Sequence, residues 1–447
     1  MISNKNNLYF IIKIDYNNNL SKKIVIVILL SIVNIFLLIK NKNNKSIINL
    51  NVIQFKNKKL NNKPYKISNY NKSHIRYYFQ NIFDSRKLFK INYSFLPYIN
   101  IDKSIPYEQI AWNIYASNGI LNITKLDYYY NSIDTNTFDL NHIHVSMAFD
   151  NNFLDLSTIS IASILNTSNN DTYIHFHILC LNFEYKDIQK IVQLKRINKN
   201  IDFTFYNAQQ AEYDFGEMGK RDYRGIGNYA KILAPEIVNN TNKILVIDSG
   251  DTIAQKDISE IFYYDLGDNY FGFTLDLNTG NYENKNDFFF SNKFYPNTGV
   301  CLINVTLFKK DELYKKAFFI TRSYNNLVTP QQDIYISIAI YKFKYMPLNF
   351  NCLHFYNKNI QKNQKKKKKT KLVELYLKLQ NYTPYKYTYE EILDAAIDPV
   401  IYHFYINKIT QSSICNKYTY QFINYSKLTG LYKEIKSKYP KPFKCEI

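Results

Sequence analysis

Apolar positions follow two regimes along the chain, and the change falls near residue 142. Ahead of it stands one greasy run, Ile24 to Ile39 (IVIVILLSIVNIFLLI), broken only by Ser31 and Asn34 and framed by Lys22, Lys23 and Lys40. The run approaches the ~20 residues that a membrane-spanning helix needs and exceeds the core of most signal peptides. No small-residue cleavage site follows it, so a retained signal anchor is expected, with a cleaved signal as the second reading. Lysines on both sides leave the positive-inside rule undecided. Residues 40–140 are rich in Asn, Lys and Tyr and hold no sustained period; they read as a stem with local helix, partly disordered.

From residue 142 the pattern sharpens. His144–Phe149 (HVSMAF) is a short apolar strand ending at Asp150, and Leu156, Ile159, Ile161, Ile164 and Leu165 repeat at helical spacing. Tyr173–Leu181 (YIHFHILCL) is a second strand, and 201–206 (IDFTFY) and 243–247 (KILVI) supply more. Strand, helix, strand is a βαβ opening, so an α/β fold with a mostly parallel central sheet flanked by helices is expected. The lysine-rich stretch at 356–371 reads as a solvated loop. The expected layout is a cytosolic tail at 1–23, the anchor at 24–39, the stem at 40–140, a globular α/β domain at 141–410 and a C-terminal extension at 411–447.

Composition changes this picture in two places. The net charge of +20 invites a polyanionic partner, but its distribution does not. Residues 1–140 balance to +12, residues 141–355 to −3 and residues 356–447 to +11, so the most globular stretch is slightly acidic and a nucleic-acid groove is not expected. The five cysteines show no metal-type spacing. Cys415 and Cys445 are candidates for a disulfide in an oxidising lumen, whereas Cys180 and Cys301 sit in strand-like runs and read as buried small hydrophobes.

The chemistry concentrates in Lys243–Ile261 (KILVIDSGDTIAQKDISEI), where an apolar strand runs straight into Asp248 and Asp251. Ligands of α/β sheets sit at the carboxyl ends of strands, and a divalent cation bound to a diphosphate takes one or two protein carboxylates. A polar turn without metal is the alternative reading of these two residues alone. The segment resembles glycosyltransferase family 8, whose GT-A fold carries an Asp-x-Asp motif after such a strand. Here Gly250 lengthens the motif to Asp-Ser-Gly-Asp, and a glycine bulge that returns Asp251 to the side of Asp248 is expected.

The resemblance spans about residues 142–408, with the family's motifs in order. It implies that Ala148, Asp150, Asn152 and Phe153 hold the base and ribose, that Lys231 stands where the family has arginine, and that Ser249 joins Asp248 in the nucleotide-sugar site. It further implies that Asp276 and Asn297 (in Asn297-Thr298-Gly299-Val300) face the donor sugar and that Gln332 lies beneath the anomeric carbon. Asp276 and Gln332 are the candidate catalytic residues. Gln331 stands where the family has aspartate. His403 completes a metal shell with Asp248 and Asp251, and Lys408 replaces the family's later lysine. The implied activity is a Mn2+- or Mg2+-dependent retaining transfer of a hexose from a UDP-sugar to a glycan or protein-linked acceptor. The implied setting is the Golgi or ER membrane, with the catalytic domain lumenal. The competing reading is an inactive sugar-binding or scaffold protein of the same fold. Lumenal placement would expose Asn-x-Ser/Thr sites at Asn122, Asn166 and Asn304, the last expected to be buried and unmodified.

Overall fold

The computed structural model describes residues 104–131, 142–208, 227–239, 241–276, 295–323, 330–339, 342–353, 387–404, 409–411 and 415–446. The chain joins the fold earlier than its composition suggests. The helix Tyr107–Asn118 buries Ile110, Ala111, Ile114 and Tyr115, one stripe at i, i+1, i+4 and i+5. Gly119, at φ 68°, ends it and returns its N–H to the Tyr115 carbonyl. Strand β1 (Ile120–Asn122) and the helix Ile123–Asn131 follow. These segments pack into the main core, so part of the expected stem belongs to the globular unit. The expected anchor at 24–39 and the lysine-rich loop lie outside the described residues. Among the described residues no helix is long and apolar enough to cross a membrane.

The remaining strands are β2 (His142–Asp150), β3 (Tyr173–Leu181), β4 (Ile201–Asn207), β5 (Lys243–Ile247), β6 (Thr252–Ala254), β7 (Phe271–Leu275), β8 (Pro296–Asn304), β9 (Phe343–Tyr345), β10 (Cys352–Leu353) and β11 (Ile401–His403). Eight of the strands form one sheet in the order β1-β4-β3-β2-β5-β8-β7-β9, and β10-β11-β6 form a second, three-stranded sheet. The large sheet is mixed rather than mostly parallel. β4, β3, β2 and β5 run parallel, as do β7 and β9, while β1 opposes β4 and β8 opposes both β5 and β7. Parallel neighbours need a crossover, which Leu154–Thr167 and Tyr185–Val192 supply between β2, β3 and β4; β8 returns without that requirement.

The two faces of β2–β4 differ. Ile143, Val145, Met147, Ile174, Phe176, Phe203 and Phe205 line one face and belong to the largest core cluster. Strand alternation sends His144, Ser146, His175, His177, Asp202 and Thr204 to the other, where all are buried. Burial pushes His144 down to about 4 and holds His175 and His177 well below the ordinary histidine range.

The C-terminal extension is part of the fold. Phe422, Ile423, Ile435 and Phe443 share a core cluster with Leu156 and Ile159 of the β2–β3 crossover helix. Cys415 and Cys445 are joined in a disulfide, and Cys180, Cys301 and Cys352 are buried thiols.

Candidate active site

The site is built around the turn between β5 and β6. β5 ends at Ile247, and residues 248–251 bend out of the large sheet into β6 of the small one rather than continuing as a bulged strand. Gly250 sits at φ +84°, a backbone region that side-chain-bearing residues enter only at a cost. A Cβ there would also lie 3.1 Å from the Leu156 Cβ. The turn is pinned from several sides. The Asp248 N–H donates to the Gly299 carbonyl (2.7 Å), the Gly250 N–H to the Ser160 hydroxyl (3.2 Å), and the Thr252 hydroxyl to the Asp248 carbonyl (2.6 Å). The extra glycine is therefore absorbed by a left-handed turn, and Asp248 and Asp251 still face the same point.

His403 reaches that point from β11, which pairs antiparallel with β6 so that His403 lies opposite Thr252. Its Nε2 is 3.8 Å from Asp248 Oδ2 and 3.6 Å from Asp251 Oδ2. One ligand atom from each of the three residues falls within 4.8 Å of the others. Burial works against a charge on the ring, but Asp251 and Asp248 outweigh it and hold His403 above the usual histidine range.

The far side of the imidazole explains its aim. His403 Nδ1 meets Asn351 Oδ1 at 3.0 Å. The Asn351 amide nitrogen donates to Thr274 Oγ1 (3.1 Å) and to Asn297 Oδ1 (2.8 Å), which fixes the amide oxygen on the histidine side. Nδ1 thus carries a proton, and Nε2 is presented to the carboxylates, the orientation that a metal-binding histidine takes from its outer partner. The relay continues as Asn297 donates its amide to Asp276 (3.2 Å). Gly299 is required by the same crowding: a Cβ there would lie 2.3 Å from His403 Cε1 and 2.7 Å from Nδ1.

These residues fit a divalent cation. Asp251 Oδ1 is buried without a hydrogen-bond partner among the described residues, so it offers a lone pair that nothing else claims. Two carboxylates and an outward-aimed imidazole form a mixed oxygen–nitrogen donor set of the kind that holds a divalent cation. Lys231, buried under the turn, forms a short ion pair with Asp248.

The other expected residues gather along the same edge. The carbonyl of Ala148, two residues before the end of β2, accepts the Ser249 hydroxyl at 3.1 Å. Asp150 Oδ1 accepts the backbone N–H groups of Asn152 (3.0 Å) and Phe153 (3.2 Å), so one of its oxygens is occupied in shaping the loop. Asn152 is exposed, and Lys438, at the end of the helix Tyr432–Lys438, donates to its carbonyl at 3.3 Å. Phe153 packs partly buried against two core clusters. Asp276 and Asn297 are buried in the relay. Gln332 is buried with its amide nitrogen on the Pro296 carbonyl (3.0 Å), and Gln331 accepts the Thr298 hydroxyl (2.8 Å). Lys408 lies outside the described residues. Asn351 was not among the expected site residues; its sequence signal is the Asn that closes the short segment Pro347–Cys352.

A large mixed α/β sheet, with paired carboxylates at the end of a central strand and a histidine delivered by a small auxiliary sheet, defines a GT-A-like protein. The chain belongs to glycosyl transferase family 8, whose profile matches residues 144–375. It is 24% identical over 217 residues to a putative glycosyltransferase of Haemophilus influenzae, covering 47% of this chain and 63% of that one. Among solved structures it is similar to the WbbM bifunctional glycosyltransferase at 18% identity and a TM-score of 0.52, covering 69% of this chain and 53% of that one. The galactosyltransferase LgtC, solved with donor and acceptor sugar analogues, superposes more loosely, at 18% identity and a TM-score of 0.49 over 64% of this chain and 95% of that one.

Proposed function

We propose that the protein is a metal-dependent retaining glycosyltransferase that moves a hexose from a UDP-sugar to a glycan or protein-linked acceptor. The observation that carries the proposal is the convergence of Asp248, Asp251 and His403 Nε2, with Asn351 setting the histidine tautomer. Asp248, Asp251 and His403 would hold manganese or magnesium, which supplies positive charge against the departing diphosphate. Lys231, beside Asp248, places a second positive charge at the same edge. In the transfer, the bond from the anomeric carbon to the phosphate oxygen breaks on the face where the acceptor oxygen attacks, and the acceptor proton leaves with the phosphate. Gln332, its amide fixed by Pro296, and Asp276, held by Asn297, would orient the donor sugar. The apolar run at 24–39 supports a Golgi or ER membrane setting with the site in the lumen.

The test is donor turnover by the full chain across a set of nucleotide sugars, with and without Mn2+. One UDP-sugar should be consumed in a manner that chelation abolishes. Asp248→Asn and Asp251→Asn should each lose on the order of 100-fold or more. Undiminished manganese-stimulated turnover in both variants refutes the assignment.

A further inference from the structure

A second cluster of ligating side chains lies on the polar face of β2–β4, and the glycosyltransferase reading makes no use of it. His144 of β2 is opposite His175 of β3 in register, and His177 is opposite Ser146. One nitrogen from each of the three rings lies within 4.8 Å of the other two, and all three residues are buried. We propose that His144, His175 and His177 form a second metal site, selective for a borderline transition-metal ion of the zinc class rather than for the hard cation of the carboxylate site.

The outer contacts of the rings resemble those of metal-bound histidines. His177 Nδ1 is held by the Tyr206 hydroxyl (2.9 Å), and His175 Nε2 by the Thr204 hydroxyl (2.8 Å). Thr204 is anchored in turn by the Asn122 amide at 2.8 Å. Outer partners of this kind leave the opposite nitrogen of each ring as the ligand. His177 Nε2 faces His144 Nδ1 at 2.9 Å, close to the roughly 3.3 Å between two nitrogens on a tetrahedral zinc ion. Moving the His144 proton from Nδ1 to Nε2 turns that hydrogen-bonded pair into two ligands without changing the charge of either ring. His175 stacks on His177 with centroids 4.2 Å apart and must swing out of the stack to complete the set.

An independent observation points to a missing occupant. The Ser146 hydroxyl is buried on the same face, opposite His177, with no hydrogen-bond partner among the described residues. A buried orphan hydroxyl beside three imidazoles is accounted for by a fourth ligand position, filled by Ser146 or by a water bound to it. Three imidazole nitrogens also separate the two sites chemically, because imidazole favours zinc, copper or nickel over magnesium and manganese.

The experiment is Co2+ titration of the full-length Asp251→Asn protein, in which the carboxylate site is disabled. The expected result is an intense visible spectrum of tetrahedral cobalt that one equivalent of Zn2+ bleaches, together with a rise in the thermal midpoint on adding Zn2+. His175→Asn should lose both signals while retaining native far-UV circular dichroism. Should that variant fail to fold, the unsubstituted His cluster still decides the matter. Only weak octahedral cobalt bands, with no change in midpoint, overturn the proposal. Failure here leaves manganese-dependent donor turnover unaffected, and failure of turnover leaves the cobalt spectrum unaffected.

Discussion

Replacing Gly299 by alanine should disable the metal site from the side opposite the metal. The added Cβ would stand 2.3 Å from His403 Cε1, 2.7 Å from Nδ1 and 3.0 Å from Asn297 Oδ1, so the imidazole must move. Moving it breaks the Nδ1 contact with Asn351 and turns Nε2 away from the two aspartates. Overpacking of a buried site costs about 1–3 kcal/mol, and loss of an outer-shell contact lowers metal affinity about 10–100-fold. The assay is a double-mutant cycle with His403→Ala, read by urea denaturation and by Mn2+ titration. Once the imidazole is gone its clash is gone, and alanine at 299 should become neutral or slightly stabilising, as expected for alanine over glycine within a strand. The predicted coupling is therefore most of the 1–3 kcal/mol. Equal cost of Gly299→Ala in both backgrounds would refute the steric account.

Gly250→Val should weaken manganese binding far more than global stability, since its φ of +84° and the Leu156 contact both resist a side chain. Deleting Gly250 tests whether the shorter spacing still brings Asp251 to Asp248; a harmless valine with a fatal deletion contradicts the turn account. Acid should destabilise the protein through the buried histidines. The folded-state value of His144 is depressed to about 4, so its contribution is intact above the unfolded value near 6.5 and disappears as pH falls toward 4. That contribution is on the order of 3 kcal/mol, so urea midpoints should drop across this window and His144→Gln should flatten the drop. If the native protein is lumenal, glycans should sit on exposed Asn-x-Ser/Thr sites such as Asn166. Asn122 is buried with its amide on Thr204, and Asn304 caps a helix through Leu307, so peptide mapping that finds sugar on either would contradict the fold.

The central strands were legible because each is a long apolar run. The auxiliary sheet was not, because two- and three-residue strands such as β10 and β6 carry no period to detect. The helix Tyr107–Asn118 was hidden in a stretch where Asn and Tyr are so common that its buried stripe did not stand out. The candidate metal ligands were legible only through family order. Asp248 and Asp251 look like any polar turn, and His403 like any histidine after an apolar run. What the sequence withheld was the link between them: Asn351 reads only as the Asn of a short family-like segment until β10 is laid beside β11. The sense of the sheet was misjudged for a related reason. β8 has the apolar character of its neighbours, and direction leaves no mark on composition.

The ion pair of Lys231 with Asp248 also bears on the order in which the protein is made. Both residues, and Asp251, leave the ribosome before the strand that carries His403. At ordinary elongation rates the lag is roughly 10–30 s. Lys231 precedes Asp248 in the chain, so the cation that the fold places beside this carboxylate is made before it, whereas His403 comes last. Because Lys231 is buried beside Asp248, the fold itself carries a countercharge for that carboxylate, independent of the later docking of β11 beside β6.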